Sequence, residues 1–505
     1  MNIPSINFYD LAGIFTPMML GLLCLFGLIL DGWLGKKKPN WVGGYAFVGV
    51  IMILIFQALL HLYRANLKGD IGAGFGGSFY FDLFGIYFNY LFLAGAILVL
   101  AMSFSHLADK KYHRGEYYLL LLIATAGMCL LAGARDLIVA FLGLETMSLS
   151  VYALAGADRE NPKSNEAGLK YLLLGAFASA ILLYGIALLY GAGGALDFPA
   201  LSRNLNQLTG KDQRFYFMLA GIALVIVGFG FKIATVPFHI WVPDVYEGAP
   251  TPITAYMAGG VKAAGFAILV RVFLFTFSGE WVPCYKILWA FAVLTMTVGN
   301  LIALVQTNIK RLLAYSSIAH AGYLLVGFTA LVASKNITEA FAPTYAIMYY
   351  LLVYLFMTIG AFAVVVFLGR EGRGGEELDD YAGLAKTRPF LAGAMAVFMF
   401  SLAGVPPFGG FFAKFYIFQT AVVHRLYILT IIAVLNSVIA AFYYLRVIYV
   451  MYMQEAREKL VEPGYESGVL LTSVIIFSLF MVFITGLAPS RFWEIIELTF
   501  LRGIV

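Results

Sequence analysis

Charge is what this chain has least of. Only 12% of its 505 residues are Asp, Glu, Lys or Arg, while 62% are hydrophobic and the mean hydropathy is +0.87. Soluble domains carry about 25% charged residues, so this balance excludes a soluble globular chain and points to a polytopic membrane protein. Cysteine is also scarce. Cys24, Cys129 and Cys284 lie far apart in or beside apolar runs, with no CxxC and no cluster able to ligate zinc or iron and sulfur, so the sequence shows no redox centre or metal site of its own. The net charge of +5 is dispersed over short loops instead of forming a basic patch, which argues against nucleic acid. The first ten residues, MNIPSINFYD, lack Lys and Arg, so the n-region of a cleaved signal peptide is missing and the first apolar run is expected to be retained.

What the chain does have is long apolar runs. Windows of about twenty residues predict some fourteen spans, the first beginning near Leu11 and the last near Val469. Only helices or closed barrels can span lipid, and these runs are too long and continuous for barrel strands, so the predicted fold is an all-α membrane bundle. The longest loops, near 191–214, 370–388 and 452–468, are too short for a soluble domain. Loops after odd-numbered spans hold about 17 Lys and Arg, including GKKK at 35–38 and DKKYHR at 109–114, against about 12 on the other side. The positive-inside rule therefore predicts odd loops in the cytoplasm and both termini outside it. The run GAGFGG, Gly72 to Gly77, fits a phosphate-binding pattern formally, but it follows a polar loop and precedes a span, and reads as a flexible loop.

Few ionisable residues remain inside the spans. Lys232 has 17 residues free of Asp, Glu, Lys and Arg before it and 11 after; Lys262, Glu145 and Lys414 are similarly isolated. A charge at the centre of a membrane helix costs about 2.5–3.5 kcal/mol on insertion scales, so four of them imply interior partners or water. Arg271, Arg446 and Lys170 lie nearer span ends, where snorkelling to the headgroups is expected instead. For the deeper groups the chemistry points to a proton relay: moving or protonating a nearby carboxylate changes how firmly a buried lysine holds its proton. Structural ion pairing is the competing reading.

Proline supplies a second signal. Pro237 and Pro243 follow Lys232, and VPPFGGFF, Val405 to Phe412, precedes Lys414, so each lysine lies beside a broken helix. Interrupted helices at membrane depth line protein-buried or wet cavities, and paired interruptions indicate inverted repeats. The breaks fall in the seventh and twelfth spans, which predicts two five-helix repeats over 117–275 and 285–451. Helices 1–3 (1–110) precede them, and a terminal helix and tail (469–505) follow. His239 and His320 titrate near neutrality and can either bridge protons or pack as hydrogen-bonded histidines; Ser316 and Ser317 lie one turn before His320. Small residues around Lys262, in GGVKAAG, let helices and water approach.

FLGLETMSLSVYAL, EAGLKYLLLGA, FGFKIATVPFHIWVPDVYEGAPTPITAYMAGGVKAAGF, NIKRLLAYSSIAHAGYLL and GVPPFGGFFAKFYIF together resemble the antiporter-like subunits of respiratory complex I, the proton-translocating NADH:quinone oxidoreductase. PDVYEGAPTP and the lysine of the twelfth span resemble the subunit N group; a glutamate at that place would fit subunit M, and subunit L adds a long lateral helix. The resemblance implies fourteen helices, inverted repeats and a proton path. It assigns Glu145 and Lys232 as a switching pair, Lys262 as central relay, His320 as bridge and Lys414 as terminal relay, with His239 in a matching block. It also implies that NAD, FMN, iron–sulfur clusters and quinone belong to partner subunits. The expected partners are antiporter-like neighbours, lipid, protons and internal water, and the expected location is the cytoplasmic membrane of a bacterium. The alternative in another class is a monovalent cation/proton antiporter subunit of the multisubunit Mrp type; a non-transporting scaffold is the third.

Overall fold

The computed structural model describes residues 8–34, 39–66, 72–74, 77–108, 110–277, 284–370, 374–455 and 468–504. The basic run at 35–38, Asp109, residues 371–373 and most of the 452–468 loop, all used in the sequence reading above, lie outside the described residues. So do residues 1–7 and residues 75–76 of the glycine-rich run.

Among the described residues 13 helices are long and apolar enough to cross a membrane. In chain order the principal helices are α1 (Phe15–Leu34), α2 (Pro39–Asn66), α3 (Leu83–Leu107), α4 (Gly115–Gly133), α5 (Leu137–Ala155) and α6 (Pro162–Gly193). Then come α7 (Gln213–Ile233), the short α8 (Trp241–Gly248), α9 (Thr251–Phe275), α10 (Cys284–Ala303), α11 (Ile309–Val332) and α12 (Ile337–Arg370). The last are α13 (Pro389–Ala403), α14 (Gly409–Val423), α15 (Tyr427–Met453), α16 (Val469–Leu487) and α17 (Pro489–Ile504). The predicted twelfth span is two half-helices, α13 and α14, of 15 residues each. Counted as one crossing, they complete the fourteen that the sequence leads one to expect.

Polar residues at the ends of the apolar runs start the helices. Asp82, Asp136, Asn161, Asp212 and Asn308 each accept a backbone N–H in the first turn of the helix that follows, and Pro162 occupies the first position of α6. Left-handed residues end α7 at Ala234 and α13 at Gly404, with φ of 65° and 88°. Pro243, expected to interrupt a helix, instead sits in the first turn of α8, where its missing N–H breaks no bond.

Burial sorts the helices into an inner and an outer set. In α9 94% of the apolar window is buried, and in α11 and α12 89%, against 28% in α1 and 22% in α2. The inner set carries the buried lysine and histidine of the middle of the chain. Helix pairs close on small residues: a Cβ on Gly127 of α4 would lie 2.4 Å from the Met147 backbone nitrogen of α5, so this seam admits no side chain.

The structure corrects several expectations. Arg271 does not snorkel. Its side chain is 0% exposed and pairs bidentately with Asp82, at 2.8 and 2.9 Å, between the rings of Tyr80 and Phe84. Arg446 and Lys170 stay near span ends as expected, Arg446 reaching the Leu304 and Gln306 carbonyls just past α10 and Lys170, 40% exposed, pairing with Asp244 and Glu166. Of the glycine-rich run, Gly72–Gly74 is not a loop but a short strand, β1, paired antiparallel with β2 (Phe79–Phe81). The tail beyond the last span is the helix α17, whose Trp493 packs on Tyr345 of α12 and Tyr416 of α14.

Candidate functional site

Lys232, Lys262 and Lys414 are 2–4% exposed, and among the described residues none of the three forms an ion pair, whereas Lys310, equally buried, pairs with Glu376 at 3.3 Å. Each of the three is held by neutral groups. Lys232, the penultimate residue of α7, donates to Ser148 Oγ of α5 at 2.7 Å and to the Tyr171 hydroxyl of α6 at 3.3 Å. Its ammonium faces the rings of Tyr152 and Tyr171 at 5.3 and 5.1 Å. Lys262 follows a π-helical turn, Met257–Val261, and donates to the carbonyl and hydroxyl oxygens of Ser317 on α11. Such turns rotate the residue that follows out of the regular helical phase. Gly265, one turn further along α9, makes room for Ile233 at the end of α7, 2.7 Å from where a Cβ would stand, and Lys232 Cγ lies 3.9 Å from the same point, so the two lysines share one side of α9.

Lys414 folds back across its break. It donates to the Ala403 carbonyl at the end of α13 at 2.8 Å and to Ser437 Oγ of α15 at 2.9 Å, and faces the Tyr323 ring at 5.0 Å. The carbonyl end of a half-helix carries partial negative charge and suits an ammonium. The absence of a side chain at Gly404 is needed here, because a Cβ would stand 3.0 Å from Lys414 Cδ. Lys232 thus precedes its break and Lys414 follows its own, so the two approach the interruptions from opposite sides.

His320 lies between Lys262 and Lys414. Its Nδ1 bonds the Tyr350 hydroxyl at 2.6 Å and its Nε2 the Tyr444 hydroxyl at 3.1 Å; Tyr444 also bonds Ser316 at 2.5 Å. The Tyr354 ring stands 5.9 Å from the Lys262 ammonium and 5.0 Å from the imidazole. On the far side Tyr323 is 5.7 Å from His320, ring to ring, and forms the face that Lys414 approaches. A buried imidazole with a hydroxyl on each nitrogen can take a proton on one side and release one on the other.

Two of the expected residues are placed differently. Glu145 is half-buried and accepts from Ser179 of α6; among the described residues it is not within ion-pair distance of Lys232. His239 sits half-buried between α7 and α8, its Nδ1 without a hydrogen-bond partner, and no described bond joins it to the other site residues.

A family model described as NADH:quinone oxidoreductase/Mrp antiporter, TM, matches residues 134–440, a stretch that contains Glu145, Lys232, His239, Lys262, His320 and Lys414. NADH-quinone oxidoreductase subunit N of Trichlorobacter lovleyi is 47% identical over 88% of each chain, and subunit N 2 of Roseiflexus castenholzii 44% over 94% of this chain and 93% of its own. This chain belongs to the NADH-quinone oxidoreductase subunit N family. A chain of respiratory complex I from Thermus thermophilus superposes with a TM-score of 0.76 at 32% identity, covering 95% of this chain and 98% of its own. A chain of the Mrp complex from Dietzia shares the fold, with a TM-score of 0.82 at 21% identity, covering 97% of each.

In this subunit N relative the sequence reading missed most of the neutral partners, Ser148, Tyr152, Tyr171, Tyr350, Tyr354, Tyr444 and Ser437. A usable signal was present in α5, where Glu145, Ser148 and Tyr152 recur at helical spacing on one face. The block PDVYEGAP also has an architectural use that was not read from it. Asp244 bonds Lys170 and Arg311, Glu247 bonds Lys163 and Arg311, and Lys310 reaches the Glu247 and Ala249 carbonyls, which ties α8 to α6 and α11.

Proposed function

We propose that this chain is a proton-translocating membrane-arm subunit in which Glu145, Lys232, Lys262, His320 and Lys414 form the relay. The observation that carries the reading is the placement of Lys232, Lys262 and Lys414, all buried and hydrogen-bonded to neutral hydroxyls and carbonyls and, unlike Lys310, without an ion pair, with a doubly hydrogen-bonded imidazole between the second and third. Ions kept for stability are expected to be paired, as Arg271 is. Lysines held by neutral groups can lose and regain a proton without abandoning a counter-charge.

Redox chemistry on partner subunits, which carry NAD, FMN, iron–sulfur clusters and quinone, changes the charge at one end of the membrane arm. Movement of the Glu145 carboxylate from Ser179 toward Lys232 then alters that lysine's hold on its proton. The proton passes to Lys262, through Ser317, His320 and internal water, to Lys414. Interacting sites of this kind titrate as a group. The repeats over 117–275 and 285–451 supply one broken helix each. The chain lies in a bacterial cytoplasmic membrane with both termini on the outer side, and His239 stands beside the relay without a step of its own.

The test uses the assembled complex in sealed vesicles, with quinone reduction and proton pumping followed together. Lys232→Met and Lys414→Met are expected to assemble and to lose pumping by this subunit; unchanged pumping would reduce the lysines to structural groups. An Mrp-type cation antiporter would instead show sodium-dependent exchange without quinone reduction.

A further inference from the structure

The relay as proposed carries a proton from His320 to Lys414 through internal water, although side chains already connect the two. On the His320 side, Tyr444 bonds the imidazole at 3.1 Å and Ser316 at 2.5 Å, and its neighbour Tyr443, ring to ring at 4.3 Å, interacts with both Tyr444 and Ser316. On the Lys414 side, Tyr323 interacts with Ser437, which accepts from the ammonium at 2.9 Å. One residue joins these two strands of hydroxyls. Asn300 of α10, 0% exposed, accepts on Oδ1 from the Tyr443 hydroxyl at 3.0 Å and donates from Nδ2 to the Tyr323 hydroxyl at 3.0 Å. The same Nδ2 also donates to the backbone carbonyl of Asn436 on α15 at 3.1 Å. Asn436 is held in turn by its own Nδ2, which donates to the Ile432 carbonyl at 3.0 Å and to Thr297 at 3.2 Å. Carbonyls only accept, so they fix which end of each amide faces which strand.

We infer that Asn300 is an insulating joint: it ties the His320 and Lys414 strands together and stops protons from crossing between them along side chains. The inference rests on the relay proposed above. Protons travel along hydroxyls because each can take a hydrogen on one side while releasing one on the other. The Asn300 amide cannot. Its oxygen receives the Tyr443 hydrogen and its nitrogen keeps both of its own, and turning the amide over would set its oxygen against the Asn436 carbonyl, acceptor against acceptor. Tyr443 is thereby the end of the His320 strand, while Tyr323, which accepts from Asn300, is left to direct its own hydrogen toward the Lys414 side. Sites joined by an unbroken hydroxyl chain would let protons run back whenever the pump stood idle, whereas a path through internal water can open and close.

The experiment uses the assembled complex in sealed vesicles and follows the decay of an imposed pH gradient with no electron donor present. Asn300→Asp replaces the amide by a carboxylic acid, which can take a proton on the oxygen that faces Tyr443 while releasing its own from the oxygen that faces Tyr323. The gradient is expected to decay severalfold faster than in wild type, and the protons pumped per quinone reduced to fall. Adding Tyr443→Phe to that variant removes the hydroxyl next to the joint and is expected to return the decay to the wild-type rate. Asn300→Leu, which cannot carry a proton, is expected to hold the gradient as wild type does. A merely structural amide would make the two Asn300 variants behave alike. Wild-type decay in Asn300→Asp, an equal leak in Asn300→Leu, or a leak that survives Tyr443→Phe overturns the inference. Tyr443→Phe alone leaves both amides in place and decides the matter even where Asn300→Asp does not assemble. It is expected to pump as wild type, and loss of pumping would show that protons do cross here. Lys414→Met measured alongside separates the levels. If it pumps normally, the relay itself falls; if it stops pumping while Asn300→Asp holds its gradient, only the joint does.

Discussion

A lysine and an arginine a few residues from one another on α9 have opposite arrangements. Lys262 is held by the oxygens of one serine, whereas Arg271 is locked in a two-point bond with Asp82 and sandwiched by aromatic rings. Breaking one partner of a buried pair leaves an uncompensated charge and costs about 3–5 kcal/mol, while replacing both by apolar groups of similar size is often neutral. Asp82→Asn is therefore expected to lower the thermal stability of the complex markedly. Asp82→Leu with Arg271→Met is expected to recover most of it, read as the unfolding midpoint of the purified complex. A double variant as unstable as the single one would show that the pair contributes by more than charge balance. The lysines were legible in the sequence because a charge inside an apolar run is conspicuous. Arg271 was visible but misread, because its partner lies 189 positions away at the start of α3 and nothing local announces it. Apart from Tyr152, which shares a helical face with Glu145 and Ser148, the tyrosines were not legible, since a tyrosine among 31 in an apolar chain looks like packing until a neighbour gives its hydroxyl a partner.

At the scale of elements, proline and glycine placed both interruptions, but only geometry shows what each does with its lysine. The first break sets Lys232 at the end of α7; the second sends Lys414 back to the carbonyl end of α13. The π-helical turn before Lys262 had no separate signal, because MAGGV is also compatible with a regular helix. It makes a prediction of its own. A π turn holds one residue more than an α-helical turn, so deleting Gly260 should give a continuous α-helix whose two ends keep their present phase, with Lys262 still facing Ser317. The expected outcome is an assembled complex that reduces quinone and still pumps. Loss of pumping in that variant would mean that the widened turn itself is needed.

For the whole molecule, the direction of the path depends on which face of the bundle meets the cytoplasm. The fold is indifferent to that choice, but the loops are not. Their Lys and Arg excess predicts the segment 110–114 inside and the connection between α11 and α12 outside. Two exposed positions decide it, Lys111 just before α4 and Lys335 between α11 and α12. With the cysteines of this chain buried, a membrane-impermeant thiol reagent added to intact cells is expected to label Lys335→Cys and to spare Lys111→Cys until the membrane is opened. The reverse pattern would invert the topology. The segment 110–114 would then lie outside, and the proposed order of the relay, from Lys232 to Lys414, would have to be reversed in a pump that moves protons out of the cell.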